Sequence, residues 1–398
     1  MANLKNVTVN DTGFIQLPSG GTGARPGSPT AGMLRFNTDT NRNEVYNGSQ
    51  WTTLEGSTAA TGGSVTTTGG YKIHTFTSGS TNFTMTYPGQ VEVLLLAGGG
   101  GGAQIGGGAG AGGMIYESQT SMPAGSYTVN VGGGGSRETQ HNANNQNPGG
   151  ASNIVGPGVP QQLNAVGGGR GASYTSSHSL IRYASGGSGG GGPGGHSGSS
   201  GGEGGFWPQA PTGHGNQGAN HPWLAGIPNA TLQGTGTDRN NDHISMEGNG
   251  YGSGTVGQGH PGGFGAHGGG YQWAAGSQTI HCGGGGGGAG SSGKPTSSGN
   301  EMGVGGSGLA SQITGSVNRY AGGGGAGTHS PGGFGHYGLA GAHGGGLNAF
   351  GGGQAGTSGA AGNPGGTNTG GGGGGGYWSN TQSGSGGPGV VVIRYRDN

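Results

Sequence analysis

Apolar and polar positions alternate in only a few stretches of this chain, and those stretches predict its strands. The first is Met33-Leu34-Arg35-Phe36-Asn37, the period-2 pattern of a strand with one covered face. Pro18, Pro26 and Pro29 punctuate an extended lead-in before it. Glu44-Val45-Tyr46 predicts a second strand, Asn47-Gly48 is a hairpin signal, and Gln50-Trp51-Thr52-Thr53-Leu54 completes a meander. Strands this short bury too little surface to stand alone. The pattern therefore predicts association of several copies, through Leu34, Phe36, Val45, Tyr46 and Trp51.

Residues 57–70 are mainly Gly, Ser, Thr and Ala and read as a linker. Strands then follow at residues 71–77, 83–87 and 91–96, the last a continuous apolar run suited to a strand buried on both faces. More are predicted at 114–116, 127–131, 152–155 and 163–166, with Pro123-Ala124-Gly125 as a turn. From residue 167 onward glycine dominates until Val390-Val391-Val392-Ile393-Arg394-Tyr395, a closing strand that returns to the earlier β unit. The expected division is 1–56 for attachment or trimerisation, 57–70 linker, 71–166 β-rich unit, and 167–398 glycine-rich with the closing strand 390–395.

Composition changes what that last segment can be. Glycine accounts for 116 of 398 residues, against about 7% in an average protein. Collagen needs glycine at every third position, whereas here it comes in blocks such as 98–102, 283–288 and 370–376. A flexible tether would be monotonously polar, yet Phe206, Trp207, Trp223, Tyr271, Trp273, Phe334, Phe350, Tyr377 and Trp378 sit between the blocks. The remaining way to order such tracts is the left-handed polyglycine II helix, with three residues per turn and no internal hydrogen bonds. Each strand must then pair laterally with several neighbours, and only glycine lets backbones approach so closely. The expected fold is mostly β and irregular: an N-terminal β meander, then a β unit with a polyglycine II bundle, and essentially no α-helix.

Charge and chemistry exclude more than they suggest. Thirteen basic and thirteen acidic residues cancel, so no electrostatic footprint for nucleic acid appears. No apolar run approaches the roughly 18 residues of a membrane span. Gly288 to Pro295 nearly spells a phosphate-binding loop, but Pro295 stands where the metal-binding hydroxyl belongs. His196, His214, His267, His336 and His343 occur singly, without the paired spacing of zinc sites, so no metal and no cofactor is expected. Asp238, Asp242 and Glu247 cluster only in a polar stretch that reads as a surface loop, and Cys282 has no activating partner nearby in sequence. No enzyme is expected.

Two resemblances sharpen the picture. The turn Arg25-Pro26-Gly27-Ser28-Pro29, the run from Gly32 to Thr38, and Val45-Tyr46-Asn47-Gly48 followed by Trp51 resemble a module common in bacteriophage tail fibres. The tracts VEVLLLAGGGGG, GSYTVNVGGGG, NTGGGGGGG and GPGVVVIRYRD are similar to the glycine-rich domains of phage tail proteins and adhesins. The resemblance implies a homotrimeric virion protein in a tail or surface appendage. Its N-terminal module would join other tail proteins, and its loops would bind a host surface protein or polysaccharide. Long excursions from a rigid scaffold are where binding residues tend to sit, and aromatic faces beside amides suit a sugar ring or protein loop. Candidate receptor-binding residues are Phe206, Trp207, Trp223, Asn240, Asn241, His243, Tyr271, Trp273, Tyr377 and Trp378. The alternative is a purely structural connector or decoration protein of the virion.

Overall fold

A computed structural model describes residues 13–54, 59–104, 106–139, 147–159, 163–173, 186–192, 258–263, 281–294, 303–329, 350–356, 360–377 and 382–397, together with short strand pieces at 235–237, 243–245, 272–273 and 276–277. It is mostly β-strand and irregular, with several open sheets. The three-residue turn Thr22–Ala24 is the one helical piece among the described residues. The chain divides into two compact units, 1–59 and 60–398.

In the first unit the predicted meander forms. Strands β2 (Leu34–Asn37), β3 (Arg42–Tyr46) and β4 (Trp51–Thr53) pair antiparallel in order, and a short β1 (Ser19–Gly20) runs parallel to β2. The Asn47-Gly48 signal makes the β3–β4 turn. The Asn47 side-chain oxygen accepts the N–H groups of Ser49 and Gln50 at 2.9 Å each, and Gly48 takes φ +102°.

The second unit joins a β-sandwich to a glycine bundle. Its strands are β5 (Ala60–Thr61), β6 (Ser64–Thr68), β7 (Tyr71–Phe76), β8 (Gly79–Met85), β9 (Gly89–Leu96), β10 (Met114–Met122), β11 (Gly125–Val131), β12 (Ser152–Val155) and β13 (Asn164–Ala165). There follow the short strands β14 (Thr235–Thr237), β15 (His243–Ser245), β16 (Gln272–Trp273), β17 (Gly276–Ser277), β18 (His281–Cys282), β19 (Leu309–Ser311), β20 (Asn318–Tyr320) and β21 (Thr328–His329), and finally β22 (Val390–Arg396). One sheet has the order β10-β9-β22-β7-β6, the other β13-β12-β11-β8-β5. Phe83, Met85, Val93, Leu95, Val129 and Ile393 meet between them in a closed core. Leu94, Leu96, Val390 and Val392 point the other way, into a second cluster with Ile313 and Tyr320 of the β19–β20 hairpin and with Ala111, Ala289 and Ala321 of the bundle. The first sheet is thus covered on both faces, which is why the run at 91–96 is apolar without alternation.

Two parts of the expected division need correction. Of the stretch 57–70, residues 60–70 are no linker: β5 pairs with β8 in one sheet and β6 with β7 in the other. The hydroxyl and β-branched residues of Ser64–Thr68 suit an edge strand, and Gly62 and Gly63, at φ +118° and +64°, turn the chain from one sheet to the other. A side chain on Gly62 would also strike the Asn82 carbonyl. Nor does the bundle begin at residue 167. Residues 97–104, 106–113, 132–139 and 147–151 already belong to it, because the sandwich strands run straight into glycine strands.

The bundle repeats every three residues. Along 106–113, the N–H groups of Gly107, Gly110 and Gly113 donate to Ala172, Gly169 and Val166 (3.0, 2.8 and 2.8 Å). Gly108 and Ala111 donate to Gly284 and Gly287 (3.0 Å each), and Ala109 and Gly112 to Gly373 and Gly370 (3.0 and 2.8 Å). The carbonyls of the same strand accept from 97–103, 188–191 and 324–327, so it has six neighbouring segments. A three-residue cycle around the strand is the polyglycine II arrangement. Residues 283–290 cycle likewise among 321–327, 189–192 and 291–294. Neither strand has a residue at positive φ. Close approach explains the composition: a Cβ on Gly100 would overlap the Gly169 carbonyl, and one on Gly110 the Ser188 carbonyl.

Candidate interaction surfaces

The first unit inverts the usual arrangement, since its covered face is polar. Arg35, Asn37 and Glu44 are buried while Leu34 is 41% exposed. Arg35 lies opposite Glu44 in the β2–β3 register, and the lead-in brings Arg25 over the pair. Glu44 Oε1 accepts from Arg25 Nε (3.2 Å) and Arg35 Nη1 (3.0 Å), and Oε2 from Arg25 Nη2 (2.7 Å) and Asn37 Nδ2 (3.1 Å). Arg35 Nη2 donates to the carbonyls of Gly20 and Gly21 at 2.7 and 3.1 Å, which fastens the lead-in to the sheet. The Arg25 hydrogen bonds, with Asn37 and both guanidinium charges behind them, hold the Glu44 carboxyl below its usual range despite burial.

The five residues expected to mediate association divide between two faces. Leu34 and Val45 are direct cross-strand partners, and Phe36 shares their face. On this face Leu34 and Leu54 are exposed, while Phe36 and Val45 are half-buried. Tyr46 and Trp51 pair on the opposite face, with ring centroids 5.5 Å apart, and the Arg35 guanidinium lies 5.9 Å from the Trp51 ring.

In the second unit, the bundle strands that leave the sandwich at 97, 132 and 166 run to an end marked by residues 104, 138 and 173. A polar cluster closes that end. Glu138 is fully buried; its Oε2 accepts the Gln104 N–H at 2.7 Å and its Oε1 the Ser173 hydroxyl at 3.2 Å. The buried Ser383 hydroxyl donates to the Gly102 carbonyl (2.6 Å) and accepts from the Glu138 N–H (2.8 Å). Half-buried Tyr377 borders the cluster, its carbonyl accepting Gln104 Nε2 at 3.4 Å. Hydrogen bonding thus ties five separate glycine strands together where the lattice ends. Sequence reasoning singled out Tyr377 but not Glu138, which lies in an unremarkable Arg-Glu-Thr stretch.

Of the other candidate receptor-binding residues, Phe206, Trp207, Trp223, Asn240, Asn241, Tyr271 and Trp378 lie outside the described residues. The backbone of His243 belongs to β15, paired with β14, and that of Trp273 to β16, paired with β17. The described residues contain no group of three or more metal-ligating side chains, and no helix among them is long and apolar enough to cross a membrane.

A family model for the glycine-rich domain matches residues 75–311, from β7 to β19, and the chain belongs to that family. The match takes in most of the sandwich and the first part of the bundle, and stops short of the closing strand. Neither a curated protein nor a solved structure matches.

Proposed function

We propose that this chain is a bacteriophage virion appendage protein, a tail fibre or tail-tip adhesin, that binds a host surface protein or polysaccharide without catalysis. The observation that carries the reading is the bundle, in which backbone pairing in several directions makes a stiff platform. Strands 186–192 and 370–377 reach the end away from the sandwich just before the aromatic-rich intervals that hold Trp207, Trp223 and Trp378. Rigid scaffolds with long excursions are the usual setting for recognition. The apolar face of exposed Leu34 with half-buried Phe36 and Val45 supports the other half of the reading, assembly of several copies as a homotrimer and attachment to further tail proteins.

Adsorption to host cells by particles carrying Trp207→Ala or Trp223→Ala tests the first half. Reduced adsorption by intact particles is expected. Unchanged adsorption by both variants removes these residues from the site, and a lower yield of assembled particles, with unchanged adsorption by those that do assemble, points to the connector role instead. For the second half, Phe36→Glu should shift purified protein from trimer to monomer in light scattering.

A further inference from the structure

His74 is a titratable group buried in the sandwich core, 0% exposed, with neighbours that fix its protonation state. The Tyr395 ring stacks on it at 5.6 Å and the Phe83 ring meets it edge-on at 5.2 Å. The Ala60 N–H, which can only donate, lies 2.9 Å from the Tyr395 hydroxyl oxygen. That hydroxyl lies 3.2 Å from His74 Nε2, and His74 Nδ1 lies 2.7 Å from the Gly62 carbonyl, which can only accept. One assignment satisfies every partner: Ala60 N–H donates to Tyr395, Tyr395 O–H to Nε2, and Nδ1–H to Gly62. The imidazole is then neutral.

Both ends of this relay fall on residues 60–62, where the chain enters the second unit and turns through Gly62 and Gly63 from one sheet to the other. Apart from the packing of Ala60 on the core and the close approach of Gly62 to the Asn82 backbone, the segment is held by β5, a two-residue edge strand pairing only Ala60 with Met85 and Thr61 with Thr84.

We propose that the His74–Tyr395 relay is an acid-operated latch: at neutral pH it holds residues 60–62 on the sandwich, and protonation of His74 releases them while the sheets stay paired. A proton on Nε2 meets the Tyr395 oxygen, so the hydroxyl hydrogen loses its acceptor and a charge appears among aromatic rings. No carboxylate compensates. On its own strand the charged neighbour is Lys72, a like charge, whose partner Asp397 lies 3.3 Å from Lys72 Nζ. From β22 the apolar Ile393 lies directly opposite it and Tyr395 is the titratable group on its face; Arg394 and Arg396 lie on the opposite face of that strand. Residues 60–63 and the strands β6 and β8 carry no ionisable side chain. Burial disfavours the imidazolium and outweighs the Gly62 carbonyl, whose hydrogen bond favours it; the Lys72 charge adds to the effect of burial, so release belongs below the ordinary histidine value of 6.5.

Amide hydrogen exchange in the full chain tests this. Protection of the Ala60 amide, which donates to Tyr395, is expected, after correction for intrinsic rates, to fall at least tenfold between pH 7.5 and pH 5, while protection at Val93 and Ile393 holds. His74→Gln should abolish the difference between the two pH values at Ala60. In the wild type, ¹⁵N shifts of the His74 ring should show Nδ1 protonated and Nε2 bare at pH 7.5, a reading that needs no variant to fold. Equal protection at the two pH values, loss shared with Val93 and Ile393, or an Nε2–H imidazole at neutral pH would each overturn the latch.

Discussion

The sandwich and the glycine bundle are parts of one compact unit, yet they are held together by opposite means. In the sandwich, side chains such as Leu95, Val93 and Ile393 supply the contact and strand pairing supplies only the frame. In the bundle the backbone is itself the core, with carbonyls packed where side chains would otherwise stand. A side-chain core tolerates loss of volume at a graded cost, because neighbours relax into the space. A backbone core offers no such relaxation to an added atom, because the obstructing group is a hydrogen-bonded peptide of the next strand.

The largest effect therefore comes from the smallest addition. Gly100→Ala should destabilise the second unit by more than about 3 kcal/mol, the upper range of overpacking, because its Cβ overlaps the Gly169 carbonyl. Gly133→Ala, where a Cβ meets nothing within 4 Å, is the matched control and should change little. Denaturant midpoints of the two variants check the contrast, and equal values would remove the lattice as the source of stability. Leu95→Ala should cost about 2–5 kcal/mol, the usual range for a buried leucine.

A smaller effect is expected where the two regions are clasped to each other. Arg394 on β22 bonds Glu92 at 2.8 Å and the Gln312 carbonyl at 3.0 Å, and lies over the Tyr71 ring at 4.5 Å. Glu92 also accepts the Tyr116 hydroxyl at 2.6 Å, and burial with that carboxylate pushes the Tyr116 pKa up to about 12. These bonds pin the hairpin of β19 and β20 over the first sheet. Arg394→Met should cost about 1–3 kcal/mol, as for a partly exposed charged hydrogen bond, and should raise hydrogen exchange in 309–320 before it does so in the sandwich.

How far the sequence reaches follows the same division. The apolar run at 91–96 and the closing strand at 390–395 were legible because a strand buried on both faces has only one kind of pattern. The bundle was legible through composition, since no other fold orders so many glycine blocks. Its start at residue 97 was not, because pairing partners such as Gly98 with Gly150 or Gly99 with Gly387 are remote and leave no local trace. The strand expected at 83–87 runs instead from Gly79, because its polar residues Ser80 to Asn82 face solvent and pair with β11. Residues 60–70 were misread for a related reason: a Thr-rich edge strand and a Ser/Thr linker have the same composition. In the first unit, alternation correctly marked the strands. It left open which face is covered, although Arg35 opposite Glu44 is a signal that the register alone could have exposed.

The two units should also respond differently to acid, and this is the smallest effect expected. Glu44 has its folded pKa lowered by Arg25, Asn37 and Arg35, so the stability it contributes is present above its ordinary value of 4.5 and is lost as pH falls below it. His74 has its folded pKa lowered by burial; the unfolded chain therefore takes up the proton first, and stability is lost as pH falls below 6.5. Both losses run toward acid, but they begin about two pH units apart. Each contributes at most about 1.4 kcal/mol per unit of pH while it lasts, less than any of the core substitutions above. Amide exchange in the whole chain, followed at Tyr46 for the first unit and at Ala60 for the second, should show the Ala60 segment of the second unit weakening from pH 6.5 downward. The first should hold until near pH 4.5. Simultaneous onset would mean that Glu44 is not the group that secures the first unit, and Glu44→Gln, which keeps the shape but removes the charge, should then leave its acid profile unchanged.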